Sequence, residues 1–159
     1  MSSLAASLEA QDDEFKTLST TLSSTKATLQ AQILATTSAR DSVSNLINNG
    51  ASLIYNLPNS IVKEKLLRIL DGYVHVLTLQ NAQILMLESL EEQFGAKWKG
   101  EKGKSLEKRS MCLHAMEKEF QKLEEQYGKN LRKAIGDGEL PASTEDGGEE
   151  KKGGAGKNR

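Results

Sequence analysis

Apolar residues recur along the first third of this chain in alternating steps of three and four. One row runs Leu8, Phe15, Leu22, Leu29, Thr36 and Val43, and its companion runs Leu4, Gln11, Leu18, Thr25, Gln32, Ala39, Leu46 and Leu53. Two rows in that relation make one seam of a coiled-coil helix, and the spacing predicts a helix over residues 1–56. The companion row is impure. Gln11, Thr25 and Gln32 put polar groups where a neighbour must pack, which costs stability and can fix register and partner number. Ser and Thr fill 18 of the first 60 positions, and neither favours a helix that stands alone. This segment needs a neighbour.

The pattern breaks at Asn56-Leu57-Pro58-Asn59-Ser60. Pro58 lacks the amide hydrogen a helix needs and biases Leu57 away from helical geometry, while Ser60 suits an N-cap. A turn is therefore expected over 57–60, with a weaker bend at Asn48-Asn49-Gly50. Residues 61–94 form the most apolar segment and carry two stripes. One reads Val62, Leu66, Ile69, Tyr73, Val76, Gln80, Gln83, Leu87, Leu90 and Phe94. The other reads Leu67, Leu70, Val74, Leu77, Ile84 and Leu85. Two stripes imply contacts on more than one side, and the first segment can cover only one of them.

Three glycines in nine positions, Gly95 to Gly103, mark a hinge. Over 104–135 the seam returns, with Leu106, Leu113, Phe120 and Tyr127 in one row, Met116 and Leu123 in the other, and Leu131 and Ile135 continuing the face. From 136 to 159 the chain holds seven glycines, six acidic and four basic residues and almost nothing apolar, so a disordered tail is expected.

Composition narrows this picture to an all-α protein: a long helical hairpin or coiled coil, a third amphipathic helix and the tail. Aromatic residues are only 4%, too few for the ring-rich core of a compact globule. A net charge of −1 gives no overall field toward nucleic acid or membrane, and nucleic acid is disfavoured as a partner. One cysteine, Cys112, suits a reducing compartment. No secretory signal opens the chain, and the apolar run from Gly72 to Leu87 falls short of the roughly 20 residues a membrane span needs. An intracellular, cytoplasmic protein is expected, with cytoskeletal association as one option.

Candidate chemistry is sparse. There is no phosphate loop, dinucleotide fingerprint, zinc spacing or calcium loop, so no catalytic residue, cofactor, metal or small-molecule substrate is expected. His75 and His114 lie on separate helices without a second ligand at metal spacing. Cys112 lacks a resolving partner for redox work. Glu91-Glu92 and Glu124-Glu125 are adjacent on helices, so their side chains diverge by about 100°. The basic run Lys97, Trp98, Lys99, Lys102, Lys104, Lys108 and Arg109 stands out. A tryptophan among lysines can meet an anionic membrane or polymer; the plainer expectation is a loop whose Trp98 packs back onto the helices. Ser19 to Thr25 could accept phosphate, although small polar residues also fill tight helix interfaces.

The expected function is a non-enzymatic scaffold subunit that joins other helical subunits, copies of itself or different chains, in a multi-protein complex of cytoskeletal, kinetochore, tethering or organelle-biogenesis type. Its interaction residues are expected among Leu22, Leu29, Leu66, Leu70, Leu77, Ile84, Leu87, Phe120 and Leu123. Two alternatives stand beside it. One is a peripheral module that uses Lys97, Trp98, Lys99, Lys102 and Lys104 on an anionic surface. The other is a small helical chaperone or adaptor for a client helix.

Overall fold

The structure, a computed structural model, describes residues 2–53 and 59–137. Among them are three helices and no strand: α1 (Ser2–Leu53), α2 (Asn59–Gly100) and α3 (Leu106–Asp137). The all-α class read from the sequence is the fold observed. The chain divides into two compact units. The first comprises Met1–Ala31 and Gln80–Lys129, the second Gln32–Leu79 and Asn130–Arg159.

In the first unit the heptad rows become a core. Leu18, Leu22 and Leu29 of α1 are buried, as are Leu87, Leu90 and Phe94 of α2 and Leu113, Met116 and Phe120 of α3. Each helix thus contributes three large apolar side chains, which is how three amphipathic stripes satisfy one another. Polar contacts tie the same helices at their margins. Lys26 Nζ lies 2.9 Å from Glu91 Oε1, Ser23 donates to Glu91 Oε2 at 2.8 Å, and Gln11 Nε2 donates to the Leu106 carbonyl at 2.9 Å. In this unit α3 folds back beside α1 and α2.

The second unit is poorer in core. Among the described residues, Val76, Leu77 and Ala134 are its buried apolar side chains, and Thr36 is buried as well. Thr36 Oγ1 donates to the Gln32 carbonyl one turn earlier at 2.9 Å, so this hydroxyl is satisfied by its own helix. Leu66, Ile69, Leu70 and Tyr73 are half-buried, whereas Leu34, Leu46, Ile61, Val62, Leu67 and Val74 are exposed.

Helix ends differ from the sequence reading in instructive ways. The hinge expected over 95–103 is confined to 101–105, because α2 continues through Gly95 to Gly100. Glycine in a helix costs about 1 kcal/mol relative to alanine, and packing of the intervening Trp98 outweighs it. The chain then closes with Glu101 N donating to the Trp98 carbonyl at 3.1 Å and Lys102 N to the Lys99 carbonyl at 3.4 Å. Gly103 takes a φ of 88°, a left-handed conformation that side chains disfavour. Ser105 caps α3: its Oγ accepts from Lys108 N at 3.2 Å, as an N-cap hydroxyl should. α1 is helical through Asn48-Asn49-Gly50 to Leu53, so the helix does not end there. α2 begins at Asn59, inside the turn expected over 57–60, the rest of which lies outside the described residues. α3 extends two residues past Ile135 to Asp137; the tail beyond it also lies outside the described residues.

Burial on α2 separates adjacent leucines sharply: Leu87 is 0% exposed and Leu85 67%. Leu87→Ala is expected to destabilise the fold by about 2–5 kcal/mol, the transfer plus cavity cost of a fully buried leucine. Leu85→Ala should stay within about 0.5 kcal/mol. Urea denaturation followed by circular dichroism checks both.

Candidate functional site

The strongest concentration of polar chemistry in the first unit is built around Arg109. Counting back seven from Met116 puts Arg109 in the companion row of the α3 seam, and it is only 5% exposed. A guanidinium there must find partners for its donors. Its Nε donates to Gln11 Oε1 at 2.9 Å, one Nη donates to Asp12 Oδ1 at 3.1 Å, and the other reaches the Glu101 carbonyl at 3.3 Å. Its carbon Cζ lies 4.5 Å from the centroid of Trp98, over the ring, a favourable cation–π placement. Gln11 is one of the three polar interruptions of the α1 seam. Two polar residues at seam positions, one on α1 and one on α3, are therefore partners.

Trp98 is held by the same group. Its indole Nε1 donates to Asp12 Oδ1 at 3.1 Å, and its ring stacks on Phe15 with centroids 5.4 Å apart and planes 9° apart. The tryptophan packs back on the helices, the plainer of its two expected roles. Of the lysines around it, Lys97 sits 3.5 Å from Glu119 and Lys104 lies 3.0 Å from Glu101. Lys99 and Lys102 are exposed, with no ion pair among the described residues. An open groove of about 640 Å³ runs between Leu4, Leu8, Trp98, Lys99 and Lys102. Its wall is the fixed Trp98–Arg109 pair.

A second polar group crosses the first unit between α2 and α3. Gln80 and Gln83 are buried, and Gln83 Nε2 donates to Glu124 Oε2 at 3.0 Å. Gln80 Oε1 and the Tyr127 hydroxyl are buried without a hydrogen bond of good geometry. Burial holds the Glu124 carboxyl above its ordinary pKa, with Gln83 opposing. Burial likewise pushes the Tyr127 phenol up to about 12, Glu124 adds to this, and the nearby Gln80 side chain offsets part of it. By contrast, the hydrogen bonds from Lys26 and Ser23 hold Glu91 below the ordinary carboxylate range, and Glu91 raises Lys26.

The proposed interaction residues fall into two groups. Leu22, Leu29, Leu87 and Phe120 are buried in the first unit's own core, and Leu77 in the second unit's. Leu66, Leu70, Ile84 and Leu123 are half-buried. Leu67 and Val74, seven apart on one face of α2, are exposed. Burial raises the pKa of the Cys112 thiol, and Glu101 adds to the shift, which keeps the reactive thiolate scarce. Among the described residues no three His, Cys, Asp or Glu side chains converge as metal ligands, and no helix is long and apolar enough to cross a membrane.

Arg109→Lys keeps the charge but loses the fork that serves Gln11, Asp12 and the Glu101 carbonyl together. It is expected to cost about 1–3 kcal/mol, the penalty for buried polar groups left unpaired, and to change the emission of Trp98, the single tryptophan. Denaturation followed by tryptophan fluorescence reads both. The sign for Glu124 is opposite. A carboxyl whose pKa is raised on folding favours the fold below its unfolded pKa and loses that advantage as pH rises through the folded value. Glu124→Gln retains an acceptor for Gln83, so it should raise the melting temperature at pH 7, with the gain vanishing below about pH 4. Thermal melts across that range check it.

Comparison with models of protein families, with curated proteins and with solved structures returns no match for this chain.

Proposed function

We propose that this chain is a non-enzymatic structural subunit that assembles with other helical chains. The observation that carries the reading is the contrast between its two units. Among the described residues, nine of the twelve buried apolar side chains belong to the first unit and three to the second, while six of the ten exposed large apolar ones belong to the second. Fully burying a Leu, Ile or Val is worth about 1.5–3 kcal/mol, so Leu34, Leu46, Ile61, Val62, Leu67 and Val74 leave a large gain unrealised. An amphipathic helix from another chain would collect it, with its apolar face toward these residues. Kinetochore, tethering, cytoskeletal and organelle-biogenesis complexes all use small helical subunits, and the choice among them rests on no residue of this chain.

The reading as an anionic-surface module draws less support. It needs Trp98 at the surface, yet Asp12, Phe15 and Arg109 engage the ring, and Lys97 and Lys104 each face a glutamate.

Light-scattering mass during gel filtration, with circular dichroism on the same sample, tests the proposal. A helical dimer or higher oligomer supports self-assembly. A poorly helical monomer that gains helix and mass with a co-purified subunit supports assembly with a different chain. A fully helical monomer that does not bind an apolar-surface dye at any concentration overturns the reading.

A further inference from the structure

The outer face of α2 in the first unit carries a pattern that the internal core does not use. Leu85, Glu88, Glu92, Gly95, Lys99 and Lys102 follow one another in steps of three, four, three, four and three. These are the steps of a helix seam, with Lys102 just beyond the helix end at Gly100. All six are exposed. They lie on the side of α2 away from Leu87, Leu90 and Phe94, which fill the core. Glu88, Glu92, Lys99 and Lys102 make no ion pair among the described residues, although Glu88 adds to the field that raises Lys26. The seam is thus acidic in its first half and basic in its second. At its middle, a Cβ added to Gly95 would meet nothing within 4 Å, so another backbone can approach there.

A row that is acid first and base last is complementary to itself when reversed. We propose that this face is a self-docking surface, on which a second copy of the chain lays the same stretch of α2 antiparallel about a two-fold axis near Gly95. This deepens the assembly reading by naming one partner and one surface. In that register Glu88 of each copy meets Lys99 of the other. Glu92 of each passes the other's Gly95 and comes within reach of Lys99, and Leu85 packs on the aliphatic stem of Lys102. A two-fold contact uses the same patch twice, so each favourable pair occurs twice. A parallel arrangement would set Glu against Glu and Lys against Lys, which is destabilising. The strip is narrow and belongs with small, weak interfaces below about 1,200 Å². Its strength rests on exposed charges and is sensitive to salt, since the Debye length falls from about 10 Å at 0.1 M to 3 Å at 1 M.

Charge exchange on the full chain, followed by sedimentation equilibrium at low and high salt, is the test. Glu88→Lys/Glu92→Lys makes the strip wholly basic, and Lys99→Glu/Lys102→Glu makes it wholly acidic. Each variant alone is expected to self-associate at least tenfold more weakly than the unaltered chain. An equimolar mixture of the two should regain association, and all four exchanges in one chain should restore it. Circular dichroism should show unchanged helicity, because every position is exposed. Variants that associate as well as the unaltered chain, while all form oligomers, overturn this docking surface and leave the assembly reading standing on another face. Reduced association of each variant with no recovery in the mixture overturns the antiparallel pairing. A chain that is monomeric at every salt and concentration overturns the self-docking proposal, and assembly then rests on a different subunit.

Discussion

A guanidinium buried in a helix seam constrains everything around it. Arg109 occupies a position where the heptad pattern calls for an apolar side chain. Left without partners there, its charge would cost several kcal/mol. The first unit answers with Gln11 and Asp12 from α1, the Glu101 carbonyl from the α2–α3 turn and the face of Trp98. Those contacts require α1, the end of α2 and the start of α3 to meet in one register. A shift of α3 by one turn would carry Arg109 about 5.4 Å away from Gln11. The neighbouring apolar layers, such as Leu22, Leu87 and Met116, would resist such a slip far less specifically, since aliphatic contacts are not directional.

The same group explains the turn. Trp98 must reach Phe15 and Asp12, which keeps α2 helical past Gly95 and delays the chain reversal to 101–105. Gly103, with its positive φ, and Ser105, capping α3, then bring the chain back within five residues. What looks in the sequence like a loose basic hinge is a tight corner held by a tryptophan and an arginine. The second polar layer, where Gln83 meets Glu124, works differently. It keeps a carboxyl partly out of water at some cost in stability.

The second unit shows what happens when a similar pattern lacks enough helix around it. Its α2 stripes are rich in leucine, isoleucine and valine, yet Leu67 and Val74 remain exposed while Val76 and Leu77 are buried. Packing within one chain has satisfied one end of the pattern. Assembly with other chains would be the means by which the remainder is covered, and the reversed charge order of Glu88, Glu92, Lys99 and Lys102 would add direction to a contact that apolar surface alone leaves unspecified.

The sequence by itself determined the helical class, the three segments and most of the seam, because a period near 3.5 can be read without knowing what the helix faces. Leu22, Leu29, Leu87, Leu113, Met116 and Phe120 are core by spacing alone. Stepping back seven from Met116 would also have put Arg109 in the seam; its place in a run of lysines hid that signal. Only the tertiary structure decided that Arg109 answers Gln11, that Trp98 packs inward and that Gly95 and Gly100 stay helical. Each depends on contacts 80 or more residues apart in the chain, and such pairings are fixed by which polar groups can be satisfied together, a property that local periodicity does not encode.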